Sequence, residues 1–310
     1  MINVLFSAEP DMWAVYEGPL NAGFVAAGLD VDLARDHAPD DVDYIVFAPN
    51  GPVQDFRPYR NAKAVMSLWA GVETVVDNAT LTQPLCRMVD EGLTTGMVEW
   101  VTAHTMRHHI GMDRHIHGQD GLWRNTVYPP TAADRPVTIL GLGALGAACG
   151  QALVHLGFPV TGWSRRPKSV PDIQCLHGDA GLTEALTGAQ IVITLLPQTP
   201  QTNDILNADT LALLARGAFV INPGRGPLID DAALLAALDN GQVGHATLDV
   251  FREEPLPVDH PYWAHPQVTV TPHIAATTRP ETAVRSIAEN IRLGEAGLPL
   301  LHVVDRTRGY

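Results

Sequence analysis

Three short segments carry an arginine, a glutamate and a histidine in that order: INPGRG at 221–226, DVFREEP at 249–255 and TPHIA at 271–275. Arg225 can hold a planar carboxylate through two parallel hydrogen bonds, His273 can hand a proton to a carbonyl oxygen, and Glu254 can fix the imidazole and hold its charge. Those roles suit the reduction of a 2-oxo acid. Taken singly, each residue has a plainer reading, because an arginine after a glycine-rich turn is usually a surface residue and a histidine after proline is usually structural. Position favours the joint reading. Each segment follows an apolar run, AFVIN, ATLDV or VTVTP, that predicts a strand of one parallel sheet. In open sheets of this kind ligands bind outside the carboxyl ends of the strands.

A hydride donor would be held by VTILGLGALGAACG, residues 137–150, in which Gly141, Gly143 and Gly146 have G-x-G-x-x-G spacing between a predicted strand and a predicted helix. The bare pattern is weak, since glycine-rich turns occur in many folds. The strand before it, the helix after it, the second strand at FPVTGW and the polar cluster that follows supply the context a dinucleotide site needs. Gly143 lets the backbone approach a pyrophosphate at a helix N-terminus, and Gly146 allows close packing of helix on sheet. The second strand ends in WSRRPK, where an enzyme using NAD would carry an acid for the ribose hydroxyls. Here Ser164 can donate to a phosphate, and Arg165 and Arg166 can pair with a 2′-phosphate, which predicts NADPH in preference to NADH.

With these segments the chain resembles the D-isomer-specific 2-hydroxyacid dehydrogenase family, and within it the glyoxylate/hydroxypyruvate reductases of the bacterial type A subgroup. The resemblance also runs through SLWAGVE at 67–73, MVEW at 97–100, LLPQTPQT at 195–202, PHIAATTRP at 272–280 and the closing VDRTRGY. It implies a D-specific, NADPH-dependent reductase of small 2-oxo acids, built as a homodimer, with Arg225, Glu254 and His273 as the catalytic set. It places the substrate-carboxylate loop on Trp69, Ala70 and Gly71, and further cofactor contacts on Ala144, Leu145, Pro197, Thr202 and Asn222. Asp249 falls on the family's acid near the nicotinamide carboxamide, with a strand-end cap as the plainer alternative. The chain departs from many members in having Ala275 two residues after the histidine, and from the subgroup in APNGPVQ at 48–54. Trp69 beside a small loop suggests a short, bulky-walled pocket for two- and three-carbon acids. Two other readings keep the fold: a dehydrogenase of a larger D-2-hydroxy acid, and a dinucleotide-sensing scaffold without catalysis, against which the intact trio stands.

A chain of 310 residues is long enough for two cores. The apolar runs INVLFSA, VDLA, YIVFAP and AVMSLWAG predict a first α/β unit. Six further strands near 137–142, 160–164, 191–196, 218–222, 245–250 and 268–272 alternate with helices such as NADTLALLARG and DDAALLAALDNGQ. The expected fold class is α/β with two doubly wound parallel-sheet domains: a Rossmann dinucleotide-binding domain over 96–278, and a smaller flavodoxin-like substrate domain over 1–95 with 279–310. A helix at 96–117 should join them, and a last helix at 279–297 should return to the smaller one.

With 34 acidic and 20 basic side chains the formal net charge is −14, which makes nucleic acid and anionic membranes poor partners. An anionic substrate then needs local positive charge, since screening over about 8 Å leaves nearby arginines in control. Cys86, Cys149 and Cys175 are widely spaced and need no disulfide, and INVLFSAEP has neither a basic leader nor a cleavable apolar core, so a cytoplasmic location is expected. His104, His108, His109, His115 and His117 crowd one segment, yet no Cys, Asp or Glu cluster accompanies them. No metal is expected, and an exposed or subunit-facing helix is. Trp123 has two readings, packing within the chain or reaching the partner subunit's active site.

Overall fold

The computed structural model describes residues 1–123, 125 and 128–306, so the end of the VDRTRGY motif and residue 124 of GLWR lie outside the described residues. The chain divides into two compact units, Met1–Leu93 with Thr277–Tyr310, and Thr94–Ala276.

The first unit is built on five parallel strands, β1 (Ile2–Ser7), β2 (Val31–Ala34), β3 (Tyr44–Phe47), β4 (Ala64–Ser67) and β5 (Leu85–Cys86), in the order β2-β1-β3-β4-β5. That order is flavodoxin-like. Every residue of β3 and β4 is buried, as expected of parallel strands covered on both faces. Alternate side chains divide between two cores. Val4, Phe6, Tyr44, Val46 and Met66 pack with Leu20, Phe24, Ile287 and Ile291 of the covering helices, and Leu5, Ile45, Phe47 and Val65 pack with Phe56 and Leu81. The helix Pro280–Glu295 belongs to this unit because Ala283, Val284, Ile287, Ala288 and Ile291 form one apolar stripe against the helix Pro10–Ala26.

The second unit is a seven-stranded parallel sheet of β6 (Val137–Leu140), β7 (Val160–Ser164), β8 (Gln174–His177), β9 (Ile191–Thr194), β10 (Ala218–Asn222), β11 (Val243–Leu248) and β12 (Val268–Val270). Its order, β12-β11-β10-β9-β6-β7-β8, is the doubly wound Rossmann arrangement, with the change of direction between β6 and β9. Val137, Ile139, Ile191, Ile193 and Ile221 form a buried layer beneath one set of helices, and Leu140, Val192, Val220 and Leu248 form the layer beneath the other.

The strands differ from the sequence expectation at two places. The pair Leu85–Cys86 is too short to show alternation, and Gln174–His177 is an edge strand without a fully buried position. The helix expected over 96–117 is two helices, Glu91–His109 and Met112–His117, separated at Gly111, whose φ of 66° cannot continue a right-handed helix. Its histidines divide, His115 and His117 being exposed as expected and the two at the end of the first helix not. His108 and His109 are buried, and His108 stacks on Phe219 at 4.7 Å with Nε2 against Thr247 Oγ1 at 2.9 Å. Burial pushes the His108 imidazole down to about 2 and His245 beside it down to about 4, so both are neutral packing groups. Among the described residues no three His, Cys, Asp or Glu side chains could hold a metal, and no helix is long and apolar enough to cross a membrane.

Candidate active site

Three adjacent strands, β10, β11 and β12, deliver Arg225, Glu254 and His273 from their carboxyl ends. The first turn is shaped by Asn222, whose Oδ1 accepts from Thr194 Oγ1 at 2.6 Å and from the Gly224 amide at 3.1 Å. Its Nδ2 donates to the Arg225 carbonyl at 2.9 Å, and Arg225 donates through Nη1 to the Gly224 carbonyl at 2.7 Å. Asn222, which the sequence reading placed among the cofactor contacts, organises the arginine turn. Gly226 is required by proximity, since a Cβ there would lie 1.9 Å from the Phe251 carbonyl carbon. The arginine turn is thereby seated on the segment that carries the glutamate.

Glu254 is tied at both oxygens. Oε1 accepts from the Phe251 amide at 2.8 Å and Oε2 from His273 Nδ1 at 2.7 Å. Burial alone would raise this carboxyl, but the His273 and Phe251 hydrogen bonds and the charges of His273 and Arg225 outweigh it and hold it below the usual carboxylate range. The sign follows from the direction of the shift: the ionised Glu254 carboxylate contributes stability at neutral pH, and that contribution is lost as pH falls through the lowered value. A carboxylate acceptor at Nδ1 requires an N–H there, which leaves Nε2 to carry or receive the proton. Nε2 has no partner among the described residues, and the His273 side chain is 53% exposed.

His273 itself has φ 53°, a left-handed conformation uncommon for a residue with a side chain. Its amide donates to the carbonyl of Asp249 at 2.8 Å, and Asp249 is wholly buried at the end of β11. Both carboxylate oxygens of Asp249 accept hydrogen bonds from residues 271–275. Neither Thr271 nor the Phe251 amide figured in the sequence reading. Both lie within two residues of strand-end polar groups, and only the folded loop shows what they bond.

The glycine loop occupies the carboxyl end of β6. A Cβ on Gly146 would lie 1.8 Å from the Gly141 carbonyl oxygen, so the helix Ala144–His155 packs as close as glycine permits. Gly143 stands at its N-cap without a side-chain cap, leaving the first amides of the helix, from Ala144 and Leu145 onward, for an anion. At the end of β7 Ser164 is buried and its hydroxyl donates to the Arg166 carbonyl at 2.8 Å, so it shapes the turn on which Arg165 and Arg166 are exposed. After β9, Thr202 donates through Oγ1 to the Pro197 carbonyl at 2.7 Å and closes that loop on itself. These residues fit a dinucleotide with an added phosphate: a glycine cradle that any side chain would fill, an uncapped helix N-terminus, and two exposed arginines beyond it.

In the first unit, Trp69, Ala70 and Gly71 follow β4. Ser67 Oγ accepts from the Trp69 amide and donates to the Trp69 carbonyl, both at 3.0 Å, and Thr278 Oγ1 donates to the Leu68 carbonyl at 2.8 Å. The Ala70 and Gly71 amides meet no acceptor among the described residues. Trp123, for which packing was one reading, is 92% exposed among the described residues.

A family model described as D-isomer specific 2-hydroxyacid dehydrogenase, NAD binding domain, matches residues 100–275. The chain is 41% identical over 256 residues to the glyoxylate/hydroxypyruvate reductase A of Yersinia enterocolitica, covering 80% of this chain and 82% of that protein. It is similar, with a TM-score of 0.92 and 41% identity, to a D-isomer specific 2-hydroxyacid dehydrogenase from Xanthobacter autotrophicus solved in complex with NADPH and MES, with 100% of this chain and 99% of that one covered. A second solved structure, the NADPH-dependent glyoxylate/hydroxypyruvate reductase of Sinorhizobium meliloti in complex with NADP and sulfate, is similar with a TM-score of 0.87 at 34% identity, both chains being covered to 100%.

Proposed function

Since the chain belongs to the D-isomer specific 2-hydroxyacid dehydrogenase family, we propose that it reduces small 2-oxo acids, glyoxylate and hydroxypyruvate, to their 2-hydroxy acids with NADPH. The observation that carries the reading is the Glu254–His273 pair at 2.7 Å, its members following the two strands that succeed the one leading to Arg225. Arg225 binds the substrate carboxylate. His273 donates the proton on Nε2 to the oxygen on which charge develops, acting as acid and as electrostatic stabiliser. Glu254 holds the opposite ring nitrogen and balances the imidazolium. When bound, NADPH supplies the hydride. The printed names of the Yersinia enterocolitica and Sinorhizobium meliloti relatives support the substrate class.

The 2′-phosphate is assigned to Arg165 and Arg166, on the turn closed by Ser164. We propose a homodimer in the cytoplasm. Exposed Leu122, Trp123 and Tyr128 support an interface, in which Trp123 reaches the partner's active site, and free Cys86, Cys149 and Cys175 suit a reducing compartment.

Oxidation of NADPH and of NADH, each with glyoxylate and with hydroxypyruvate, tests the cofactor side. The wild type should favour NADPH, and Arg165→Ala with Arg166→Ala should remove most of the preference, since each charge-assisted hydrogen bond contributes about 1.5–3 kcal/mol. Equal or better catalytic efficiency of the wild type with NADH would contradict the assignment.

A further inference from the structure

We infer that Arg252 is a positioning residue that holds the segment carrying Glu254 against the turn carrying Arg225. The inference rests on the proposed roles of Arg225, Glu254 and His273. Arg252 stands in the motif DVFREEP, two residues before the glutamate, and its guanidinium reaches two segments that leave neighbouring strands. Nη2 donates to Asp204 Oδ1, in the loop after β9, and to the Ile229 carbonyl at 2.5 Å, in the segment after β10. Nε lies 3.4 Å from Asp231 Oδ2, at the start of the helix Asp231–Asp239. Asp231 is itself fixed by the buried Tyr262, whose hydroxyl donates to its Oδ1 at 2.8 Å. The two segments are also joined to each other, the Asp204 amide donating to the Pro227 carbonyl at 2.8 Å and the Leu206 amide to the Leu228 carbonyl at 3.0 Å.

This junction sets the spacing of two site residues. Gly226 seats against the Phe251 carbonyl, where no Cβ fits, and the Phe251 amide is the donor to Glu254 Oε1. Residues 225–229 and 251–254 thus meet at two points, Gly226 on Phe251 and Ile229 on Arg252. One contact would leave the segments able to pivot, whereas two fix both their separation and their angle. An arginine suits the second point because its planar fork addresses carboxylates and a carbonyl together, which a lysine ammonium does not. The ion pairs are partly solvated, with the Arg252 side chain 40% and that of Asp204 47% exposed, and pairs of that kind contribute little to folding. What they supply is geometry. Arg225 places the substrate carboxylate and Glu254 places the imidazole, so the distance between their segments decides how the carbonyl oxygen meets the proton donor.

Arg252→Met, which keeps much of the side chain's length and removes its donors, should lower kcat with NADPH and hydroxypyruvate about tenfold. The NADPH dissociation constant, measured by fluorescence titration, and the melting temperature should be nearly unchanged. Arg252→Lys keeps the charge without the fork and should recover part of the loss, standing about threefold below the wild type. The decisive comparison repeats Arg252→Met in the His273→Ala background. A residue that acts by placing the proton donor should cost less than about twofold further in turnover once the imidazole is gone. Equal losses in both backgrounds, unchanged turnover in Arg252→Met, or a fall in melting temperature that accounts for the lost activity would overturn the inference. Unchanged turnover in His273→Ala alone would instead overturn the reading of the site on which the inference rests.

Discussion

His273→Ala is expected to lower turnover with NADPH and the best 2-oxo acid by about 10²–10⁴-fold, the range for loss of a positioned general acid. NADPH affinity should be nearly unchanged, because the glycine loop, the helix Ala144–His155 and the Ser164 turn stand at the ends of other strands. The split between the two quantities matters. An imidazole that only filled space or stabilised the loop would affect folding and binding together, whereas a proton donor acts chiefly in the transition state. Steady-state rates, with the NADPH dissociation constant measured alongside, decide it. A variant with unchanged turnover would remove His273 from the chemistry.

Arg225→Ala should damage both turnover and apparent substrate affinity. Two charge-assisted hydrogen bonds to a carboxylate, at about 1.5–3 kcal/mol each, correspond to about 10²–10⁴-fold in kcat/KM when both are lost. Arg225→Lys should recover part of the charge but not the paired geometry, and should remain well below the wild type. The turn supporting the arginine is locked by Asn222, Thr194 and Gly224, so the alanine variant leaves its own scaffold in place. If kcat/KM for hydroxypyruvate fell no further than for an exposed control such as Arg292→Ala, Arg225 would not be the carboxylate ligand.

Strand ends were the most legible part of this chain. AFVIN, ATLDV and VTVTP are apolar enough to mark β10, β11 and β12, and a buried parallel strand leaves its chemistry to the residues just beyond it. The glycine loop was legible for the same reason, with spacing and context agreeing. Leu85–Cys86 and Gln174–His177 were not, because one is too short and the other too polar to show a period. His108 shows a different limit. A histidine-rich helix reads as polar, yet His108 lies stacked on Phe219 with its Nε2 on Thr247, partners 111 and 139 positions further along the chain. Asp249 was seen as a strand-end acid, but its occupation by Thr271, Ile274 and Ala275 depends on a left-handed turn at His273 that no local pattern announces.

The measurement that bears most directly on the central claim is a set of catalytic efficiencies with NADPH for glyoxylate, hydroxypyruvate, pyruvate, 2-oxoisocaproate and phenylpyruvate. On the proposed function the bulky Trp69 next to Ala70 and Gly71 suits short acids, and a hydroxyl on the third carbon can gain a hydrogen bond that a branched or aromatic group cannot make. Glyoxylate and hydroxypyruvate should lead, with the branched and aromatic acids last. Phenylpyruvate or 2-oxoisocaproate ahead of both small acids would contradict the account.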